Sequence, residues 1–209
     1  MSDKLHALVL GATGLVGKAL VNQLLADVRY QSVTCLLRKP LPQHLFKSAE
    51  QKLQPIVIDF NQLEDYQGYF GAAHIYVCLG TTIKQAGSRS AFRRVDFEYV
   101  HIAAQLARAQ RARSFVWISS VGADAKSRNF YLRVKGELEN AIMGMTGLNN
   151  ASGVRPSLLL GERQDFRLGE QIGMQAAKFF APLLRGKFAK YRPVHAADVA
   201  AQMIRLQQF

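Results

Sequence analysis

Cysteine, tryptophan and acidic side chains are scarce in this chain, with two Cys, one Trp and 15 Asp plus Glu against 27 Lys plus Arg. The two cysteines, Cys35 and Cys78, lie inside the apolar runs VTCLL and IYVCLG, without the neighbouring ligands that a metal site needs. They read as buried free thiols. Long hydrophobic runs are also missing. Nowhere do about 18 apolar residues follow one another, which excludes a membrane-spanning helix. The opening MSDKLHALVLGATG has no apolar stretch long enough for a secretory leader, so a soluble, cytoplasmic protein is expected. Low-complexity tracts and repeats of solenoid period are absent, so the chain reads as globular throughout.

The shortage of acids leaves a net charge of +12. Cut at residues 60 and 120, the chain carries +3, +3 and +6, a broad excess and not a basic tail. Only RGKFAKYR interleaves cations (Arg185, Lys187, Lys190, Arg192) with aromatics (Phe188, Tyr191) as a phosphate-tracking surface does. No recognition module accompanies it, so specific nucleic-acid binding is not expected. A solvated basic face, or an anion-binding wall of a substrate pocket, accounts for the charge.

What is abundant is apolar surface, at 49% of 209 residues, enough for one substantial core. Strand-length runs (HALVLG, VTCLLR, PIVIDF, HIYVCLG, SFVWISS, SGVRPSLLL) alternate with segments of helical period. Val16, Ala19, Leu20 and Leu24 recur at helical spacing, as do Val100, Ala103, Ala104 and Ala107 between Asp96 and Arg113. A third helix is predicted from Phe130, carrying Tyr131, Lys135, Leu138 and Ile142. The alternation predicts an α/β fold: a Rossmann-type doubly wound parallel sheet with helices on both faces, in one domain over residues 1–209. RLGEQIGMQAAKFFAPLL and HAADVAAQMIRLQQF read as further helices. Residues from about 157 to 195 form a small C-terminal substrate subregion over the sheet's carboxyl edge, where open α/β sheets bind ligands.

VLGATGLVG sets Gly11, Gly14 and Gly17 between the first strand and the first helix, with Thr13, Leu15 and Val16 among them. The first glycine permits a tight turn, the second lets backbone approach a pyrophosphate, and the third lets helix and strand pack closely. The helix N-terminus then offers free N–H groups to the anion. A dinucleotide is the expected ligand. At the end of the second strand, where NAD sites usually place an acid, the chain has Arg38 and Lys39. A guanidinium there can clasp a 2′-phosphate, so NADP(H) is the expected cofactor. Asp59 and Phe60 are placed at the adenine, and Gly80, Thr81 and Thr82 along the ribose path.

Tyr131 and Lys135 stand four residues apart, a spacing that by itself also describes a surface pair. On one helix face, however, an ammonium favours the phenolate of a neighbouring tyrosine and eases proton exchange near neutral pH. Ser119 and Ser120 end the strand just upstream, and a hydroxyl there can orient a substrate carbonyl. His195 and Asp198, spaced i,i+3 at a helix start, suit capping and packing better than a catalytic dyad.

Together GATGLVG, ISSVGA and YLRVK resemble the short-chain dehydrogenase/reductase superfamily in its atypical and extended branches, as do VRPSLLLGER and PVHAADVA. CLGTTIKQAG, RRVDFEYV and SSVGADAKSRNFYLRVKGELE are similar to its Tat-interacting-protein-like subgroup, and the likeness spans nearly the whole chain. The resemblance implies Tyr131 as general acid/base, Lys135 as ribose anchor and modifier of the phenol, and Ser120 as the substrate hydroxyl with Ser119 in reserve. Arg155 and Pro156 are expected to turn after the sixth strand near the nicotinamide. Many superfamily members carry Asn where this chain has Asp96, which puts an Asn-dependent proton relay in doubt. Two readings follow. One is an NADP(H)-dependent oxidoreductase acting on a small carbonyl or alcohol. The other is an NADP(H)-binding protein of vestigial catalysis that serves a protein partner. A homodimer is compatible with both.

Overall fold

The computed structural model describes residues 4–42, 45–46, 51–160 and 192–207. Its first strand, β1 (Leu5–Leu10), explains the layering. Ala7 and Val9 point into one core and Leu8 and Leu10 into another, as the two-residue period of a strand requires. Because both faces are covered, the strand reads as an almost unbroken apolar run. The same holds for β2 (Tyr30–Leu37), β4 (His74–Val77) and β5 (Ser114–Ile118). With β3 (Leu53–Val57) at one edge and β6 (Ala151–Val154) at the other, they form a six-stranded sheet in the order β3-β2-β1-β4-β5-β6. Every pairing is parallel. The chain winds outward from β1 to β3, then returns to β4 on the other side of β1. The switch point thus falls between the carboxyl ends of β1 and β4, where ligands of such sheets bind.

One face is covered by α1 (Leu15–Ala26) and by α6 (Ala196–Arg205) from the far end of the chain. Val16, Leu20, Val21 and Leu24 of α1 meet Ala196, Val199, Ala200, Met203 and Ile204 of α6 in one buried cluster. Gln23 Nε2 adds a 2.9 Å bond to the Ala197 carbonyl. The other face is covered by a kinked 3₁₀ segment (Phe60–Gly71) and by two further helices. These are α5 (Phe130–Met143) and a long helical run of α3 (Arg89–Arg93) and α4 (Tyr99–Ala109), preceded by the separate short α2 (Ile83–Ala86), which ends at the left-handed Gly87. Val100, Ala103, Ala104 and Ala107 are buried on α4 as their spacing predicts.

Two expectations differ from what the fold shows. The helix predicted from Asp96 starts at Arg89, capped by Ser88 Oγ, which accepts from the Ala91 N–H at 3.0 Å. It passes through a π turn over Arg94–Glu98, and Phe92 and Asp96 ahead of Val100 are buried with it. SGVRPSLLL is not one strand. β6 stops at Val154, before Pro156, which has no N–H to donate, and Leu159–Leu160 (β7) pairs instead with Val194–His195 (β8). The 3₁₀ segment and α2 carry no clear periodicity and were not anticipated. The helix expected from residue 167 up to Pro182 and all of the basic segment except Arg192 lie outside the described residues.

At the amino edge of the sheet the Tyr30 hydroxyl bonds His74 Nδ1 at 2.6 Å and the Tyr76 hydroxyl at 2.8 Å. Nearby the Ser114 hydroxyl donates to Gln207 Oε1. Burial pushes the Tyr30 phenol up to about 12 and the Cys35 thiol up to about 12. Cys35 is buried, Cys78 is half-buried, and both are free thiols.

Candidate functional site

The loop after β1 is built by close approach. Gly11 has φ +87°, and a Cβ on it would sit 2.6 Å from the Cys78 carbonyl group at the end of β4. A Cβ on Gly17 would lie 2.0 Å from the Gly11 carbonyl oxygen. Side chains are therefore excluded at both positions, and α1 is drawn against the switch point. Gly14 is exposed and stands at the N-cap of α1, bringing no side chain to the first-turn N–H groups. No acidic residue occupies that turn. Open N–H groups at the positive end of a helix, faced by bare backbone, fit a pyrophosphate. The residues present therefore suit a dinucleotide. Thr13 is exposed, Leu15 is half-buried and Val16 is buried in the core.

Arg38 and Lys39 follow β2 directly and are both exposed. Asp59 is exposed and caps the 3₁₀ segment, its Oδ1 accepting from the Asn61 N–H at 2.9 Å. The Phe60 ring is buried and packs at 5.5 Å on the Tyr99 ring. Gly80 and Thr82 are exposed after β4, and Thr82 caps α2 through a 3.1 Å bond from the Gln85 N–H.

α5 begins at Asn129, whose Oδ1 accepts from the Leu132 N–H at 3.2 Å. Tyr131, in its first turn, is half-buried with its ring 5.7 Å from that of Phe92. One turn on, Lys135 is only 3% exposed. Its ammonium lies 2.7 Å from Asp96 Oδ1 and 3.5 Å from the Ile118 carbonyl at the end of β5. Asp96, 1% exposed, holds its other oxygen, Oδ2, 2.9 Å from the Thr81 N–H, which donates to it. The contact to Oδ1 is a charge contact, for that oxygen accepts no aligned hydrogen bond. Burial pushes the Asp96 carboxyl above the usual carboxylate range, while Lys135 and the Thr81 N–H pull the other way. Ser120 is half-buried and its hydroxyl donates to the Val121 carbonyl at 3.3 Å. Ser119 is buried, and its hydroxyl has no partner among the described residues. Both serines directly follow the β5 end that Lys135 touches.

Arg155 and Pro156 do follow β6, and the Pro156 carbonyl accepts from the Val121 N–H at 3.0 Å. The Arg155 guanidinium, however, is clasped by Glu139 of α5, Nε to Oε1 at 2.8 Å with a second bond from Nη2 to Oε2. His195 occupies the N-cap position of α6 but makes no side-chain cap bond, and both it and Asp198 are exposed. The expected capping and packing role of the His195 side chain is therefore not realised.

What the sequence reading passed over is Asp96 as the partner of Lys135. A signal was present: Phe92, Asp96, Val100, Ala103 and Ala107 lie along one buried stripe in which Asp96 is the only acid. An isolated carboxylate on such a stripe needs a buried partner.

A parallel sheet with a glycine-lined turn at its switch point defines a Rossmann-type nucleotide-binding domain. Residues 11–158 match the model of an NAD(P)H-binding family. The chain belongs to that family, and within it falls with the Tat-interacting-protein-like group of short-chain dehydrogenase/reductases. It is 37% identical over 176 residues to Protein HTATIP2 of Rattus norvegicus, covering 84% of this chain and 70% of that protein. It is 33% identical over 166 residues to Protein FMP52-1, mitochondrial, of Scheffersomyces stipitis, covering 77% and 70%. The fold of ADP-L-glycero-D-manno-heptose-6-epimerase from Helicobacter pylori superposes with a TM-score of 0.74 at 16% identity, over 98% of this chain and 73% of that one. Among the described residues no helix is long and apolar enough to cross a membrane, and no group of His, Cys, Asp and Glu could hold a metal ion.

Proposed function

We propose that the protein is an NADP(H)-dependent oxidoreductase that interconverts a small carbonyl compound and its alcohol. The observation that carries this reading is Lys135, a buried ammonium at the carboxyl end of β5, one helical turn from Tyr131. A surface pair would leave it in solvent. Gly11, Gly14 and Gly17 hold the pyrophosphate with the N–H groups of Leu15 and Val16, beside Thr13. Arg38 and Lys39 hold the 2′-phosphate. Asp59 and the residue 60 backbone border the adenine, and Gly80, Thr81 and Thr82 border the ribose. Pro156 lies toward the nicotinamide, with Arg155 behind it on Glu139. When bound, the nicotinamide supplies or accepts the hydride. Tyr131 gives its hydroxyl proton to the carbonyl oxygen, or takes it back from the alcohol. Ser120 donates to the same oxygen and orients it, with the unpartnered Ser119 hydroxyl one residue away. Lys135 favours the phenolate and anchors the ribose.

Tyr131→Phe removes one hydroxyl and keeps the ring on Phe92. Reduction of aldehydes and ketones, followed by NADPH absorbance, should fall 10²-fold to 10⁴-fold, with NADP(H) affinity unchanged in calorimetry. Unaltered turnover would rule out the role. The second reading, a cofactor-bound protein acting through a protein partner, draws on a cationic surface beside Tyr131. Arg89 and Arg133 lie over the Phe130 ring at 5.2 and 5.6 Å, and Arg93 over the Phe97 ring at 4.4 Å, with Glu137 pairing to both Arg93 and Arg133 and offsetting part of the charge. Absence of turnover in the wild type across the whole panel would favour it. We place the protein in the cytoplasm, unlike the fungal relative whose name is mitochondrial, and cell fractionation decides between the two.

A further inference from the structure

We infer that Arg94 is a second guanidinium for the 2′-phosphate of NADP(H), reaching it from the helical run after β4 while Arg38 reaches it from the end of β2. The inference rests on the reading that puts the 2′-phosphate at Arg38, and it adds to that end of the cofactor a residue from a different part of the chain.

The packing places Arg94 there. β2 and β3 leave the sheet side by side, with the Ile58 N–H donating to the Leu37 carbonyl at 2.8 Å, so Arg38 and Asp59 emerge next to each other. Asp59 Oδ1 accepts from the main-chain N–H and the side-chain amide of Asn61 at 2.9 and 3.0 Å, and Asn61 Oδ1 accepts from the Tyr99 hydroxyl at 2.8 Å. Together with the Phe60 ring on Tyr99, these bonds tie the start of α4 to the carboxyl end of β3. Arg94 stands one π turn before Tyr99, whose N–H donates to the Arg94 carbonyl. A helix that carries the chain from one parallel strand to the start of the next runs antiparallel to both. One turn back along it is therefore one turn toward the carboxyl edge, where ligands of such sheets bind. Arg94 lies at the rim from which Arg38 also rises.

The charges agree with this placement. Burial raises the Tyr99 phenol; Arg94 is the strongest charge opposing the rise and Arg38 opposes it too, while Asp59 and Glu98 add to it. Two guanidiniums from separate elements thus bear on one hydroxyl. Both are exposed, and neither has an ion-pair or hydrogen-bond partner among the described residues. Arg93, the next residue, differs: it is engaged by Glu137 and by the Phe97 ring. Like charges left unpaired at one rim repel, and a phosphate held between them removes the repulsion while accepting charge-assisted bonds from both. NAD(H) brings no anion to that place, so Arg94 contributes to the choice between the two cofactors.

The test is calorimetric titration of 2′,5′-ADP and of 5′-AMP into wild type, Arg94→Gln and Arg38→Gln, with Tm recorded for each. Arg94→Gln should weaken 2′,5′-ADP about tenfold and leave 5′-AMP binding and Tm unchanged, because the side chain is exposed and unpaired. Arg94→Lys, which keeps the charge and loses the planar fork, should fall between. If Arg38→Gln weakens 2′,5′-ADP and Arg94→Gln does not, the inference is overturned and the Arg38 reading stands. Equal weakening of both nucleotides by Arg94→Gln would overturn it as well, moving Arg94 from the phosphate to the adenine or the fold. A wild type that binds the two probes equally would refute the NADP(H) reading itself, and the inference with it.

Discussion

Removing either member of the Asp96–Lys135 pair should cost far more stability than removing both. The side chains are 1% and 3% exposed, so each single variant strands a charge away from water. Breaking a buried pair from one side costs about 3 to 5 kcal/mol, whereas replacing the pair by uncharged groups of similar volume is close to neutral. For a domain of this size 1 kcal/mol moves Tm by roughly 2 to 4 °C. Lys135→Met and Asp96→Asn should thus each lose roughly 6 to 20 °C, and the double variant should melt within a few degrees of wild type. Lys135→Met should also respond to pH. In Lys135→Met the orphaned carboxyl, already raised by burial, can escape its charge by taking a proton. A folded-state value above the unfolded one means stability present in acid and lost as pH rises, so this deficit is smaller at pH 5 than at pH 8. Urea titrations of the four proteins at these pH values complete a double-mutant cycle. Additive losses, with no such pH trend in Lys135→Met, would refute the account of the pair as a mutually dependent buried contact.

Two further outcomes follow from other parts of the molecule. Arg38→Ala should weaken NADP(H) binding by about 1.5 to 3 kcal/mol, the worth of a hydrogen bond to a charged group, and leave NAD(H) nearly unaffected; equal loss for both nucleotides in calorimetry would remove Arg38 from the 2′-phosphate. Alkali should destabilise the fold, because Tyr30 and Cys35 are both raised to about 12 by burial and ionise earlier in the unfolded chain. Their contribution is complete below about pH 9 and lost between pH 9 and 12, on the order of 3 kcal/mol each at 1.36 kcal/mol per pH unit. Guanidinium titrations at pH 7.5 and 10.5 should show that decline, and Tyr30→Phe and Cys35→Ala should each flatten its slope whatever their effect on the starting stability.

The parts legible in the sequence were those whose cause is local. β1, β2, β4 and β5 announce themselves because a strand covered on both faces must be apolar throughout, and the glycine turn because three small residues at fixed spacing admit few other uses. Tyr131 and Lys135 share a helix, so their spacing could be read directly. Asp96 could be seen to stand where Asn is usual, but not what it does, since its partners, Thr81 and Lys135, come from other segments and meet only after the sheet has formed. The Glu139 clasp on Arg155 was hidden for the same reason, as nothing near Arg155 in sequence shows it. The Phe60 ring follows an apolar strand and continues its burial, so its place at the end of PIVIDF was ambiguous between core and ligand face.

The packing of α6 on α1 makes the order of synthesis matter. The helix that opens the proposed nucleotide site leaves the ribosome about 170 residues before the helix that covers it, an interval of roughly 10 to 35 s at common elongation rates. Throughout it Leu20, Val21 and Leu24 lack their final cover from Val199, Met203 and Ile204. The nascent chain therefore carries a sticky amino-terminal half that only its last segment can close, and stalling or premature termination before residue 196 would release a product suited to chaperone capture or degradation.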